Sequence, residues 1–130
     1  MEKKFLLWGF IFGMFAVILG AFGAHGLKPI LTADQLNSFE TGIRYQMFHA
    51  FLLIILAKYP AITNRFIFYG LVIGTLLFSC SIYLLNLRFI FEMEFLKFLG
   101  PITPIGGLLL IVSWFILIVK TLQLKLKSSE

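Results

Sequence analysis

Residues 5–24 read FLLWGFIFGMFAVILGAFGA, twenty positions without a charged side chain. A helix needs about 20 predominantly apolar residues to cross a hydrocarbon core roughly 30 Å thick, so this stretch alone predicts a membrane span. The basic start Met1-Glu2-Lys3-Lys4 fits the head of a secretory signal, but a signal's apolar region is only about 7 to 15 residues long. The run exceeds that, and an uncleaved first span is expected.

Composition carries the same message to the rest of the chain. Hydrophobic residues make up 60% of the 130 positions and charged ones 13%, against about 45–50% and about 25% in soluble domains; mean hydropathy is +0.98. Three further apolar runs follow, at about 42–59, 66–87 and 103–119. Runs of this length are helices in lipid, because each backbone polar group must then be satisfied within its own segment. The expected fold class is therefore all-α, an integral membrane four-helix bundle forming a single domain over residues 1–130. Thr32 or Asp34 can cap the lead-in to the second span, and Thr103, just before Pro104, the fourth.

The net charge of +5 does not point to nucleic acid, since the basic residues punctuate apolar runs instead of clustering on one wet face. They act as topology determinants. Lys3, Lys4, Lys58, Arg65, Lys120, Lys125 and Lys127 fall on the side of the termini, and Lys28, Arg44, Arg88 and Lys97 on the other, which places both termini in the cytoplasm by the positive-inside rule. Trp8, Tyr59, Tyr69 and Trp114 are then expected near the inner interface, where amphipathic rings settle.

Helices in lipid associate through close packing of small residues and through buried polar contacts. Gly9, Gly13, Ala16, Gly20 and Gly23 form one stripe on the first span, Gly70 and Gly74 a pair on the third, and Gly106 with Ser113 a short stripe on the fourth. Gln46, His49 and Ala50 share a face of the second, and Thr75, Ser79, Tyr83 and Asn86 a face of the third. Between spans three and four, FEMEFLKFLGPITPIGG (91–107) mixes Phe, Met and Leu with Glu92, Glu94 and Lys97, the pattern of a segment lying at the outer interface. At GAFGAHGLKPI (20–30), Gly26 is expected to stop the first helix in a left-handed conformation, with Lys28-Pro29 preventing its continuation.

The candidate polar cluster is His25, Glu40, Arg44, Tyr45, Gln46 and His49. His25 ends the first span, and Tyr45, Gln46 and His49 lie in the outer half of the second, so similar depths are expected for them, with Glu40 and Arg44 an i,i+4 pair nearer the surface. An ionisable side chain inside a membrane is a functional hypothesis by default. A neutral imidazole also bridges helices, donating at one nitrogen and accepting at the other. Two histidines without Cys, Asp or Glu at ligand spacing make an incomplete metal site, so no metal and no cofactor is expected. Cys80 is read as a packing residue. No phosphate loop, carboxylate pair or nucleophile elbow is present in the sequence, and catalytic residues are expected to be absent.

GAFGAHGLK (20–28), FETGIRYQMFHA (39–50), FSCSIYLL (78–85) and LGPITPIGG (99–107), in this order, resemble the YgdD-like family of small four-span membrane proteins, found in bacteria with relatives in mitochondria. The resemblance covers nearly the whole chain. It implies a multi-pass protein of the cytoplasmic membrane with no defined biochemical activity, and it matches His25 and His49 to the family's recurring histidines. Cys80 stands where a smaller residue such as glycine is expected, and 86–98 is longer and more charged than the family's usual link. The expected function is that of a non-catalytic structural or interaction protein, with membrane lipids, a second copy or other membrane proteins as partners and no nucleic acid. The alternative is a small-solute, ion or proton translocator using His25 and His49; an enzyme or cofactor carrier built on the same pair is a third reading.

Overall fold

The computed structural model describes residues 1–125; Lys127, counted above among the topology determinants, lies outside the described residues. The chain folds into α1 (Glu2–Phe22), α2 (Ala33–Leu56), α3 (Arg65–Thr75), α4 (Ser81–Leu87) and α5 (Ile102–Gln123). A π-helical turn over Leu76–Cys80 joins α3 to α4, so that they form one rod, Arg65–Leu87, and a second π turn, Gly23–Leu27, prolongs α1. Four antiparallel rods result, an all-α membrane bundle. Three of them, Glu2–Leu27, Arg65–Leu87 and Glu94–Gln123, are long and apolar enough to cross a membrane by length and composition. The α2 helix falls outside that group because Glu40, Arg44, Gln46 and His49 dilute its apolar character. It packs between α1 on one side and the α3–α4 rod on the other.

Local signals explain the helix ends. Thr32, not Asp34, caps α2: its Oγ1 accepts from Gln35 N at 3.2 Å while Gln35 Oε1 accepts from Thr32 N at 3.0 Å, a reciprocal capping box. Asn64 Oδ1 accepts from Ile67 N at 2.8 Å and starts α3. Thr103 does not cap α5, which begins one residue before it; its hydroxyl instead meets Ser81 Oγ at 2.6 Å, tying α5 to α4. Gly26 is not left-handed either. No glycine among the described residues has positive φ, and α1 ends by widening into its π turn ahead of Pro29.

Glycines set the helix spacing where a side chain has no room. A Cβ on Gly9 would stand 2.6 Å from Ile54 Cγ1, and one on Gly42 2.7 Å from Tyr83 Cε1. Gly70 lies against Ser113 Oγ, Gly74 against Leu110, and Gly106 against the backbone of Leu77 and Phe78. Gly13 and Gly20 are looser, their nearest neighbours at 3.9 Å, and Gly23 faces Phe39 at 3.4 Å. Ala16 is buried on the same stripe.

The core is layered along the membrane normal. Phe5, Phe12, Leu53, Ile67, Phe68, Leu71 and Leu117 fill the end that carries Met1, and Leu27, Leu31, Phe39 and Tyr83 the opposite end. Gln46, His49, Thr75 and Ser79, all buried, lie where the two apolar layers meet, and Ser113 is buried within the first of them, between Leu110 and Leu117 on α5. Phe10, Val17, Phe48, Ile111 and Phe115 face outward, as lipid permits. The 91–107 link forms a 3₁₀ turn, Glu94–Leu99, with Phe91, Phe95 and Phe98 exposed and a Lys97–Glu94 ion pair of 3.1 Å.

Candidate functional site

The polar layer is the one place in the bundle where chemistry-bearing groups converge. Gln46 sits at its centre: Nε2 donates to Phe12 O on α1 at 2.9 Å, and Oε1 accepts from Tyr83 Oη on α4 at 2.8 Å. One side chain thus binds three helices. Next to it Ser79 Oγ donates to Gly42 O at 2.8 Å, a contact that the Leu76–Cys80 π turn makes available by turning Ser79 toward α2. Nearer the Leu87 end of the rod, Asn86 Nδ2 donates to Ile82 O at 2.8 Å and to Ser38 Oγ at 3.2 Å.

His49 is 4% exposed and both its ring nitrogens are engaged. Nδ1 lies 2.7 Å from Tyr45 O, one turn back on α2, and Nε2 lies 3.1 Å from Trp114 Nε1 on α5. An indole N–H only donates, so Nε2 must be the acceptor and the ring proton belongs on Nδ1, donating to the carbonyl. The imidazole is neutral in this arrangement. Its rings meet edge to face, with centroids 6.1 Å apart.

The structure does not bring the sequence-predicted cluster together. Gly13 faces Ala50 and Gly23 faces Phe39 across the α1–α2 contact, so His49 is level with Met14, and His25 lies about 16 Å further along the axis at 1.5 Å per residue. The two histidines are at different depths because the lead-in Ala33–Thr41 is itself part of α2 and packs beside the C-terminal end of α1. His25 is exposed on its π turn. Glu40 and Arg44 form no ion pair; Arg44 Nη2 donates to Thr41 Oγ1 at 3.1 Å, and the ion pairs among the described residues are Lys58–Glu2 and Lys97–Glu94. Tyr45 contributes its carbonyl to His49 while its ring leans on Phe78, centroids 4.9 Å apart. Trp114, half-exposed, stands near the middle of α5. Gln46 and His49 alone of the cluster are in the polar layer, joined there by Tyr83, Ser79 and Trp114. The polar stripe of the third span was the signal for Ser79 and Tyr83; nothing in the sequence singled out Trp114 as a partner.

Two cavities flank this layer. One of about 290 Å³, between α2 and α5, is lined by Tyr45, His49, Phe78, Gly107, Ile111 and Trp114. The other, about 220 Å³, lies between α1 and the π turn beside Gln46, Thr75, Cys80 and Tyr83. Thr75 Oγ1 is buried there without a hydrogen-bond partner. Among the described residues no three His, Cys, Asp or Glu side chains converge as metal ligands. Most of the site's hydrogen bonds are already made between helices, while Thr75 Oγ1 and the free Cys80 thiol line the smaller cavity.

Fold and site define a small polytopic membrane protein held together by a buried polar layer. The chain belongs to the family described as "Protein of unknown function (DUF423)", whose profile matches residues 19–107. It is 38% identical over 124 residues to a UPF0382 membrane protein of Staphylococcus haemolyticus, covering 93% of this chain and 97% of the relative. A UPF0382 membrane protein of Haemophilus influenzae is 39% identical over 117 residues, 88% of this chain and 90% of its own. The UPF0382 membrane protein YwdK of Bacillus subtilis is 36% identical over 129 residues, 93% and 98% of the two chains. No solved structure matches.

Proposed function

We propose that the protein is a non-catalytic structural or interaction component of the cytoplasmic membrane, of the YgdD-like kind within its family, with both chain ends on the cytoplasmic side. The observation that carries this reading is the double engagement of His49 by Tyr45 O and Trp114 Nε1. A proton relay needs a nitrogen with a free lone pair or a proton that can leave along a wet path. Here the lone pair faces an indole N–H, and apolar layers close the bundle above and below. On the polar stripe of the α3–α4 rod, Ser79, Tyr83 and Asn86 are bonded to Gly42, Gln46 and Ser38, and Thr75 alone of the four keeps a hydroxyl without a partner. The outward Phe, Leu and Ile faces remain for lipid, a second copy or other membrane proteins.

Reconstitution into liposomes with an entrapped pH-sensitive dye tests the reading. Proton entry equal to that of empty vesicles is expected, and a leak that disappears in His49→Gln would overturn it in favour of translocation.

A further inference from the structure

A groove of about 490 Å³ opens toward lipid between α3 and α5, lined by Arg65, Phe66, Tyr69, Gly70, Ile73 and Leu109. It begins at Arg65, the first residue of α3, and reaches Ile73, about 12 Å deeper at 1.5 Å per residue. Gly70 sets its floor: Ser113 lies directly against it, so α3 and α5 close there and the outward side chains of Phe66, Tyr69 and Ile73 stand up as one wall. Leu109 forms the other. The groove is apolar along its length and cationic at one end.

That end is poor in carboxylates. Gly70 faces Ser113 and Gly74 faces Leu110, a register that brings Lys120 level with the turn preceding Arg65. Among the described residues of this end of the bundle Glu2 is the lone acidic side chain, and it pairs with Lys58 at 3.6 Å. Arg65 is exposed and makes no ion pair or hydrogen bond with described residues. At headgroup depth, a guanidinium attracts phosphate, which its planar fork binds at two oxygens.

We propose that this groove is a binding site for an anionic phospholipid, its phosphate on Arg65 and one acyl chain lying along Phe66, Ile73 and Leu109. A zwitterionic lipid fills the apolar part equally well. Its cationic amine meets Arg65 and Lys120 unfavourably, so the site selects by headgroup charge.

Native mass spectrometry of the full-length protein, released from nonionic detergent with equimolar phosphatidylglycerol and phosphatidylcholine of matched acyl chains, tests this. Wild-type protein is expected to retain phosphatidylglycerol in preference by about fivefold, the effect of one basic residue at a membrane surface. Arg65→Gln should level the two lipids. Ile73→Trp, which fills the groove and leaves the charge unchanged, should lower retention of both, and Lys125→Gln, a cation outside the groove, should keep the preference. Equal retention by wild type, a preference that survives Arg65→Gln, unchanged retention in Ile73→Trp, or a preference lost in Lys125→Gln would each overturn the assignment.

Discussion

Trp114 on α5 donates its indole N–H to His49 Nε2 on α2 across 3.1 Å, and by doing so links two helices that otherwise hardly touch. The bond fixes the imidazole as the neutral Nδ1–H form, donating to Tyr45 O.

If this link is structural, its two ends must be energetically coupled. His49→Ala and Trp114→Phe should each lower thermal stability in detergent. The double variant should lose less than the sum, by about 0.6 kcal/mol and at most about 1.7, the range found for hydrogen bonds between membrane helices. Additive losses would show that the two side chains do not depend on one another.

Gln46 makes a similar test on the other side of α2. Tyr83→Phe removes the donor to Gln46 Oε1 and leaves that oxygen buried without a partner. A loss of about 1 kcal/mol is expected, read as a lower melting temperature. Gln46→Ala should cost more, since it releases both α1 and α4 and opens a void.

The glycines should divide into two classes. Gly106→Ala forces a methyl into the backbone of Leu77 and Phe78, which cannot swing aside, and a loss of about 1 to 3 kcal/mol is expected. Gly13→Ala meets nothing closer than Ala50 at 3.9 Å and should fall within about 0.5 kcal/mol of wild type. Melting curves of the two variants in one detergent compare them directly.

Orientation follows from the basic residues and is open to labelling. In a Cys80→Ser background, Asp34→Cys should react with an impermeant maleimide from outside the cell and Lys58→Cys should not. Both positions are exposed, at opposite ends of α2, so the reverse pattern would invert the bundle in the membrane.

Three of the four rods were legible because uncharged runs near twenty residues admit no other solution in lipid, the more polar α2 through its apolar second half and capped lead-in, and the glycine stripes because small residues recur at three and four. The depth of one helix against another was not. Register between α1 and α2 is set by Gly9 meeting Ile54 and Gly23 meeting Phe39, contacts that leave no periodic trace. Counting inward from the ends of apolar runs therefore put His25 and His49 side by side. The same counting gave Trp114 no partner, whereas its indole N–H donates to the buried Nε2 of His49. Neither π turn announces itself in sequence, yet the one at Leu76–Cys80 turns Ser79 toward α2.

The most direct test of the interhelical role proposed for His49 is the ¹⁵N spectrum of its ring in lipid bilayers. A protonated Nδ1 and an unprotonated, hydrogen-bonded Nε2 whose shift moves in Trp114→Phe are predicted. A ring protonated at both nitrogens, or at Nε2 alone, would contradict the structural role and return His49 to the list of groups able to carry a proton.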